Sequence, residues 1–378
     1  MRLLDAALVE HPYDEYARWR TEQPVWWAED AHSWVLARHD DVRAVLKQSD
    51  AYSSAAMGAG QVSLPLLGDD APRHTQLRKL VDRAFTVRML RDMEAVVEAL
   101  ARDLVDAMPA GTSIDIVPAL TQPLPVAVIA RMMGIPFERA PDFKRWSDAL
   151  TSTVADATAE SRQRDIGEMA AYFHSLIGER RANPGPDLVS AVVNAEVDGA
   201  HLSDQDIVGF NMLLLIAGNE TTTNLLGNML NTLVDRPDVY ARLVREPELI
   251  PAAVDEALRF DSPVQFLRRT LTQPAIFHGQ AMAAGETVTV LTGSANRDEQ
   301  VYPQADVYDI DRQKVNHHSF GFGIHFCIGA PLARLEAQCA IRHLVRRFPR
   351  ITRGAGQNER IGSFLLRGFH HLWLELHS

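Results

Sequence analysis

The chain has 378 residues, 46% of them hydrophobic, and a formal net charge of −11. This composition supports a large hydrophobic core, while the acidic balance argues against nucleic acid as the main partner. The sequence shows no signal peptide, membrane anchor, linker or repeat, so we expect a single domain over residues 1–378.

Helical periodicity dominates the chain from near its N-terminus to near its C-terminus. In chain order, the predicted helices are 14–22, 40–48, 74–84, 87–107, 120–133, 143–157, 162–182, 187–194, 203–235, 237–246, 249–260 and 331–347. Alternating apolar residues predict a hairpin and three further strands, at 25–28 with 33–37, then at 273–277, 287–291 and 372–376. The sequence therefore predicts a mainly α fold with a small β portion.

The predicted helix 203–235 has apolar side chains on most faces, which is typical of a helix buried in the middle of a protein. Ser203 is expected to cap its N-terminus. Its centre, residues 217–223, nevertheless contains a glycine, an acid and three threonines. Because an unsatisfied buried polar group costs about 1–3 kcal/mol, we expect these residues to have a task. Threonine hydroxyls that bond back to the preceding turn can also bend the helix.

One cysteine, Cys327, lies in a glycine-rich loop directly before the last predicted helix. Gly321, Gly323 and Gly329 let the backbone turn tightly and approach a bulky object. The helix N-terminus is expected to favour the thiolate form of the cysteine. A thiolate held in this way suits iron in a macrocycle as an axial ligand, whereas a buried structural cysteine is the alternative for this residue alone.

The pattern Phe320-x-x-Gly323-x-x-x-Cys327-x-Gly329 resembles the haem-binding loop of the cytochrome P450 family, and the resemblance extends over nearly the whole chain. It implies the family's fold, with haem b (iron protoporphyrin IX) between the long central helix and the cysteine loop, and Cys327 as the iron ligand. The chain has only one other cysteine, Cys339, so it cannot form a disulfide framework and fits a reducing cytoplasm.

The centre of the long helix is similar to the family's oxygen-handling segment. Carried over to this chain, Ala217 and Gly218 leave room beside the haem for dioxygen. Thr221 holds the bound oxygen and orders water, and Glu220 connects the site to a proton source. A carboxyl group beside a hydroxyl suits a proton relay, which cleavage of the O–O bond requires. Family members that use hydrogen peroxide directly tend to replace this pair.

Two sets of charged residues also match the family. Glu256 and Arg259 lie on one face of a predicted helix, and the resemblance implies that Arg312 completes this group in a folding role. Buried haem propionates must be neutralised, and the resemblance assigns this to a second set. Its members are His74, Arg78, Arg269 (with Arg268 as its rival) and His325.

The segments that the resemblance places above the haem are mostly apolar, which predicts a hydrophobic substrate held mainly by shape. The candidate pocket residues are Leu213, Val264, Phe266 and Leu365, together with the loop 57–67 and helical residues around 146–157 and 172–177. Each of these residues fits a plain core position equally well. Fatty acids, terpenes, steroids and macrolide-like products all remain open as substrates.

The resemblance implies a monooxygenase that hydroxylates or epoxidises its substrate with O2. Electrons would come from a separate ferredoxin or flavodoxin with its NAD(P)H reductase. Residues 334–353 include six arginines and a single acid, which predicts a docking site for an acidic donor, with an ordinary solvated helix face as the alternative. A peroxide-driven or non-oxygenating haem-thiolate enzyme and a haem-binding sensor without catalysis are the rival hypotheses.

Overall fold

The computed structural model describes residues 2–58, 64–85, 87–151, 158–197, 200–313 and 315–378. Its helices are α1 (Ala7–Glu10), α2 (Pro12–Glu22), α3 (His39–Lys47), α4 (Ala55–Gly58), α5 (Arg73–Ala84), α6 (Val87–Asp106), α7 (Pro123–Met132), α8 (Ala140–Thr151), α9 (Ala159–Ala182), α10 (Leu188–Val193), α11 (Asp204–Val234), α12 (Pro237–Arg245), α13 (Ile250–Phe260), α14 (Thr292–Ala295) and α15 (Ala330–Arg347). Its strands are β1 (Val25–Ala28), β2 (Ser33–Leu36), β3 (Tyr52–Ser53), β4 (Ser113–Asp115), β5 (Glu196–Val197), β6 (Ala200–His201), β7 (Leu267–Leu271), β8 (Ala275–Phe277), β9 (Gln280–Met282), β10 (Thr287–Val290), β11 (Arg350–Arg353), β12 (Glu359–Arg360), β13 (Phe369–His371) and β14 (Trp373–His377). The predicted mainly α fold with a small β portion is confirmed.

Most predicted helices begin and end within a few residues of the observed ones, because their apolar period is long and unbroken. The predicted helix 120–133 differs. It is a π-helical turn, Val117–Thr121, followed by α7, because Pro123 lacks an N–H group and suits the first turn of a new helix. Residues 152–157 of the predicted helix 143–157 lie outside the described residues. Among the helices that are described, none is both long and apolar enough to cross a membrane.

A five-stranded sheet has the order β1-β2-β10-β7-β3. β10 runs parallel to β2 and antiparallel to β7. The predicted β1–β2 hairpin and β10 are confirmed, but β7 was not predicted, because two adjacent arginines interrupt its apolar alternation. A second sheet has the order β11-β14-β4, of which only β14 was predicted. β7 is important for the site, since one of its two arginines is Arg269.

The central helix of the fold is α11, and most of its side chains are buried. It packs against α7, α8, α9, α13 and α15. Ser203 caps it as the sequence predicts, because the Ser203 Oγ accepts a hydrogen bond of 3.1 Å from the N–H of Asp206. Since α15 directly follows the cysteine loop, this packing places the loop next to the central helix.

Candidate active site

The backbone of the cysteine loop depends on two glycines in the left-handed region. Gly321 has a φ of +71° and Gly323 a φ of +74°. A Cβ at Gly323 would lie 2.6 Å from the carbonyl oxygen of Leu46 at the end of α3, so only glycine fits there. Gly329 differs, because its φ is −80° and a Cβ there would meet only the Cys327 Sγ, at 3.8 Å. The local backbone therefore explains the first two glycines but not the third.

Cys327 is held by its own loop. Its N–H donates a hydrogen bond of 2.9 Å to the carbonyl oxygen of Phe320, and its side chain stays accessible on one side. Burial of its surroundings raises the pKa of the Cys327 thiol, although the N–H groups of Gly329 and Ala330 and the charge of Arg78 act against this. The N–H groups at the start of α15 therefore favour the thiolate as the sequence predicts, but burial has the larger effect on the pKa of Cys327 in the protein by itself. A bound metal cation would remove the proton.

Three of the four residues assigned to the propionates meet at one edge of this loop. His74 is buried, and its Nδ1 has no hydrogen-bond partner in the described part of the chain. The ring centroids of His74 and His325 are 4.1 Å apart, and the His325 Nε2 lies 2.9 Å from the Ser54 Oγ. Arg78 donates a hydrogen bond of 2.8 Å to the carbonyl oxygen of Phe326. Burial, with the neighbouring His74, lowers the pKa of His325 to about 3, so its ring is neutral at pH 7.

The fourth residue, Arg269, is a buried cation on β7. Its side chain is 4% exposed, its guanidinium donates to the carbonyl oxygen of Arg268, and no carboxylate of the described residues forms an ion pair with it. Burial lowers its pKa to about 10, although the charge of Asp70 acts in the opposite direction. The Arg268 side chain reaches the carbonyl oxygen of Ala31 instead, at 3.5 Å. An unpaired buried cation is costly, so Arg269 fits an anionic group of a ligand.

These observations test whether the residues fit a haem. An accessible cysteine sulfur, an unpartnered buried histidine nitrogen and an unpaired buried guanidinium are what a ligand with one metal ion and two carboxylates requires. The residues present fit that group.

One stripe of α11 is less buried than the rest of the helix. Leu213, Ala217 and Thr221 follow each other at intervals of four residues; Ala217 is exposed, and Leu213 and Thr221 are half-buried. The Thr221 Oγ1 donates a hydrogen bond of 2.8 Å to the Ala217 carbonyl oxygen, which is the predicted bond to the preceding turn. The stripe therefore presents small and apolar groups and one hydroxyl.

Gly218 lies at a close contact between two helices. A Cβ at this position would lie 3.1 Å from the Cδ1 of Ile129 on α7. The glycine thus allows α7 and α11 to approach closely. This contact is a packing reason for a glycine here, and the space for dioxygen beside Ala217 and Gly218 stays a prediction.

Glu220 is buried and its carboxylate points to α8. Its Oε1 accepts a hydrogen bond of 3.2 Å from the Ser147 Oγ and lies 3.9 Å from the Lys144 Nζ and 3.5 Å from the Asn219 Nδ2. Lys144 also forms an ion pair with Asp148. Burial raises the pKa of Glu220, and the charge of Lys144 partly offsets this. Lys144 and Ser147 could not be predicted from sequence, because their contact with Glu220 depends on how α8 packs against α11.

A surface groove is lined by Lys144, the charged neighbour of this acid. Its volume is about 600 Å³, and its lining residues are Pro118, Gln122, Pro123, Val126, Glu138, Ala140, Pro141 and Lys144. Lys144 therefore lies both in the wall of the groove and beside Glu220. Lys144 therefore connects the groove to the buried carboxylate.

The group of Glu256, Arg259 and Arg312 is assembled as the sequence pattern implies. The Glu256 Oε1 lies 2.7 Å from the Arg259 Nη2 and 3.3 Å from the Arg312 Nε, and Glu256 and Arg259 are completely buried. The same Oε1 accepts the N–H of Asp309 at 2.9 Å. Arg259 also donates to the carbonyl oxygens of two loop residues, Asn296 and Ala305, so it connects α13 to that loop.

The candidate pocket residues lie in different surroundings. Leu213 belongs to the exposed stripe of α11, and Val264 is half-buried and bridged to Leu366. Phe266 is buried in an N-terminal cluster that includes Leu3 and Trp19, and Leu365 packs against the same cluster. That cluster accounts for Phe266 and Leu365 as core residues. Residues 59–63 of the expected pocket loop lie outside the described residues.

The basic stretch 334–353 is largely neutralised by acids of the same chain. Its ion pairs are Arg334 with Asp255, Arg342 with Glu98, Arg347 with Asp106, and Arg353 with Asp235. Arg346 has no ion-pair partner among the described residues. The stretch therefore offers much less free positive charge than the sequence suggests.

Comparison with known proteins agrees with this geometry. The family model described as Cytochrome P450 matches residues 11–361. The putative cytochrome P450 YjiB of Bacillus subtilis is 38% identical over 90% of this chain and 88% of its own length. The erythromycin C-12 hydroxylase of Saccharopolyspora erythraea is 37% identical over 93% of this chain and 91% of its own. The crystal structure of CYP109E1 from Bacillus megaterium in complex with corticosterone is 36% identical, has a TM-score of 0.89, and covers 97% of this chain and 99% of that one. The chain thus belongs to the cytochrome P450 family of haem b monooxygenases.

Proposed function

We propose that this cytochrome P450 inserts one atom of O2 into a hydrophobic organic substrate, by hydroxylation or epoxidation. The observation that supports this best is Glu220, a buried acid next to Thr221 that contacts Lys144 in the wall of a groove. An enzyme that delivers protons to dioxygen needs such an acid, whereas turnover with peroxide does not. The pair therefore favours O2 and two electrons over peroxide.

The cysteine loop and its surroundings would bind the cofactor. Cys327 is the iron ligand, and the haem supplies the activation of dioxygen when it is bound. Phe320, Gly323 and Gly329 give the loop its shape. The residues that would hold the two propionates are His74, Arg78, Arg269 and His325.

The central helix would supply the protons. Because the Thr221 hydroxyl donates its hydrogen to the Ala217 carbonyl oxygen, its own oxygen is free to accept a hydrogen bond from water in the site. Glu220 takes up a proton from the groove side, next to Lys144, and releases it towards Thr221. Ala217 leaves the space in which O2 is held.

The substrate would be a large apolar natural product. Leu213, on the less buried stripe of α11, and the half-buried Val264 would contribute apolar surface to the pocket. One relative is named as an erythromycin hydroxylase, and a similar solved structure contains corticosterone. A steroid or macrolide-sized molecule held by shape fits both the apolar wall and these relatives.

A separate ferredoxin or flavodoxin with an NAD(P)H reductase would supply the electrons, in the cytoplasm, to a chain that forms one domain over residues 1–378. Among the described arginines of α15, Arg346 stays available for an acidic donor, because Arg334, Arg342 and Arg347 are paired. Arg350 lies beyond the helix and contacts the His377 Nδ1 at 3.1 Å. Replacing Arg346 with glutamate is therefore expected to slow reduction by the donor more than the same change at Arg342, whose partner is Glu98. Stopped-flow reduction at low ionic strength measures this difference.

The decisive experiment is a spectrum followed by turnover. The protein produced with haem precursors is reduced under carbon monoxide, and we expect the absorption typical of sulfur coordination. Apolar compounds are then screened for a shift of the haem band, and the products formed with NADPH, ferredoxin and reductase are identified. A Glu220→Gln variant is expected to lose about a hundredfold in rate with this system. Faster turnover of the wild type with hydrogen peroxide alone would contradict the proposal.

A further inference from the structure

The cysteine loop is connected to α13 by an ion pair that has no role in the function proposed above. The Arg334 Nε, in the first turns of α15, lies 2.7 Å from the Asp255 Oδ1 on α13. The Arg334 guanidinium lies 4.6 Å from the ring centroid of Phe320. The carbonyl oxygen of Phe320 in turn accepts a hydrogen bond from the N–H of Cys327. The Arg334 guanidinium therefore contacts the residue whose carbonyl group holds the backbone of Cys327.

Among the described residues, one titratable group besides Arg334 lies beside Asp255. It is His317, whose Nε2 is 3.8 Å from the Asp255 Oδ1. Burial lowers the pKa of His317 although Asp255 opposes this, so the ring is neutral at pH 7. Burial alone would raise the pKa of Asp255, but its contacts with His317 and Arg334 lower it overall, so the carboxyl group is ionised. At neutral pH the pair thus consists of one anion and one cation that cancel each other.

The pair differs from the other ion pairs of α15 in its position. Arg347 pairs with Asp106 at the far end of the helix, at 3.0 Å. Arg334 lies close enough to the cysteine loop to favour negative charge on the sulfur, an effect that is smaller than that of burial. Only the Asp255–Arg334 pair joins an acid to a cation that stacks on Phe320.

We propose that Asp255 and Arg334 are positioning residues that set the reduction potential of the iron bound at Cys327. This inference rests on the proposed function. One-electron reduction adds one negative charge to the site, and an uncompensated Arg334 stabilises that charge. Asp255 cancels the effect of Arg334, and it therefore keeps the potential lower than the arginine alone would set it.

The test is a reductive titration of the haem-loaded protein with dithionite, in which the haem spectrum reports the fraction reduced. The Asp255→Asn variant leaves Arg334 without its counter-charge, so we expect a higher midpoint potential and an equilibrium constant for reduction that rises about threefold or more. Arg334→Met is expected to shift the midpoint downwards, and the double variant is expected to lie near the wild type. Asp106→Asn is the matched control, because it removes an equal charge from Arg347 at the other end of α15.

Each result decides between the inference and its alternatives. A midpoint of Asp255→Asn that moves no further than that of Asp106→Asn, with sulfur coordination retained, overturns the inference and leaves the proposed function intact. If Asp255→Asn does not bind haem, the direction of the Arg334→Met shift decides alone. A wild-type protein without the spectrum of sulfur coordination would instead overturn the proposed function.

Discussion

Glu220 combines two properties that rarely occur together in one side chain. It is buried in the middle of α11, and it nevertheless lies within 3.9 Å of a lysine that reaches the protein surface. Burial favours the protonated acid, while Lys144 favours the carboxylate. Asp148, the other charged neighbour, adds to the effect of burial. Burial and Lys144 therefore act on the pKa of Glu220 in opposite directions, and burial has the larger effect.

Replacing Lys144 with methionine should change the pKa of Glu220. The variant removes the charge that opposes burial, so the pKa of Glu220 should rise further and the acid should stay protonated to a higher pH. Infrared titration of the carboxylic C=O stretch measures this, with Glu220→Gln to identify the band. We also expect a smaller fraction of NADPH electrons to reach product, with a loss well below the roughly hundredfold effect of removing the acid.

Lys79→Met is a suitable control for that change, because Lys79 is an exposed lysine on α5. It should leave the carboxyl band of Glu220 unchanged. Lys144→Arg keeps the charge and should restore most of the wild-type titration. An unchanged band in Lys144→Met would show that the groove and its lysine have no influence on Glu220.

The residues of the site differ in how far a local sequence pattern identifies their role. Cys327 stands in a local pattern of glycines and aromatic residues, so the sequence alone identifies it. Lys144 acts through a contact between α8 and α11, and no local pattern predicts that contact. The contact between Gly218 and Ile129 could not be predicted for the same reason, since it depends on the packing of α7 against α11.

At the scale of elements, α13 contains a buried ion pair, Glu256 with Arg259, and the same arginine donates hydrogen bonds to the loop that follows β10 and α14. Glu256 and Arg259 have no exposed surface, and all the hydrogen bonds of the arginine go to protein oxygens. Removing one partner of such a pair leaves an uncompensated buried charge, which costs about 3–5 kcal/mol. The pair therefore makes the position of α13, and with it that of Asp255, strongly dependent on Arg259.

We expect Arg259→Leu to lower the free energy of unfolding by about 3–5 kcal/mol and to reduce haem retention. Arg242→Leu is a matched control on α12, because Arg242 pairs with Asp311 at the surface. An exposed pair contributes about 0–1 kcal/mol, so the control should be nearly neutral. Denaturant unfolding followed by circular dichroism compares the two variants. An equal loss of unfolding free energy in the two variants would show that the buried pair of α13 stabilises the fold no more than the surface pair does.

The elements themselves were predictable to different degrees. α6 is long and amphipathic, so its apolar period fixes it within a few residues. β7 was missed because Arg268 and Arg269 stand in its middle, and only the binding site explains why a buried strand has a cation there. The signal that could have indicated the strand is the pair of apolar residues at its two ends.

At the scale of the whole molecule, a pair of stacked histidines joins the N-terminal half to the cysteine loop. The rings of His39, on α3, and His318 are 4.5 Å apart, and both are buried. Both nitrogens of His318 lack a partner among the described residues. Burial lowers the pKa of His318 to about 3, and His39, His317 and Arg43 act in the same direction while Asp40 opposes them.

This pKa predicts how the stability of the fold depends on pH. The unfolded chain binds a proton at this histidine below a pH of about 6.5, whereas the folded chain does not until a pH of about 3. The contribution of His318 to the free energy of unfolding is therefore fully present above pH 6.5. It falls by roughly 1.4 kcal/mol for each pH unit below that, until pH 3.

The His318→Gln variant lacks this contribution, so its free energy of unfolding should fall less steeply between pH 6.5 and 5 than that of the wild type. His11→Gln, an exposed control, should retain the wild-type slope in denaturant titrations at these pH values. Identical slopes for His318→Gln and the wild type would mean that His318 is not held neutral by the fold.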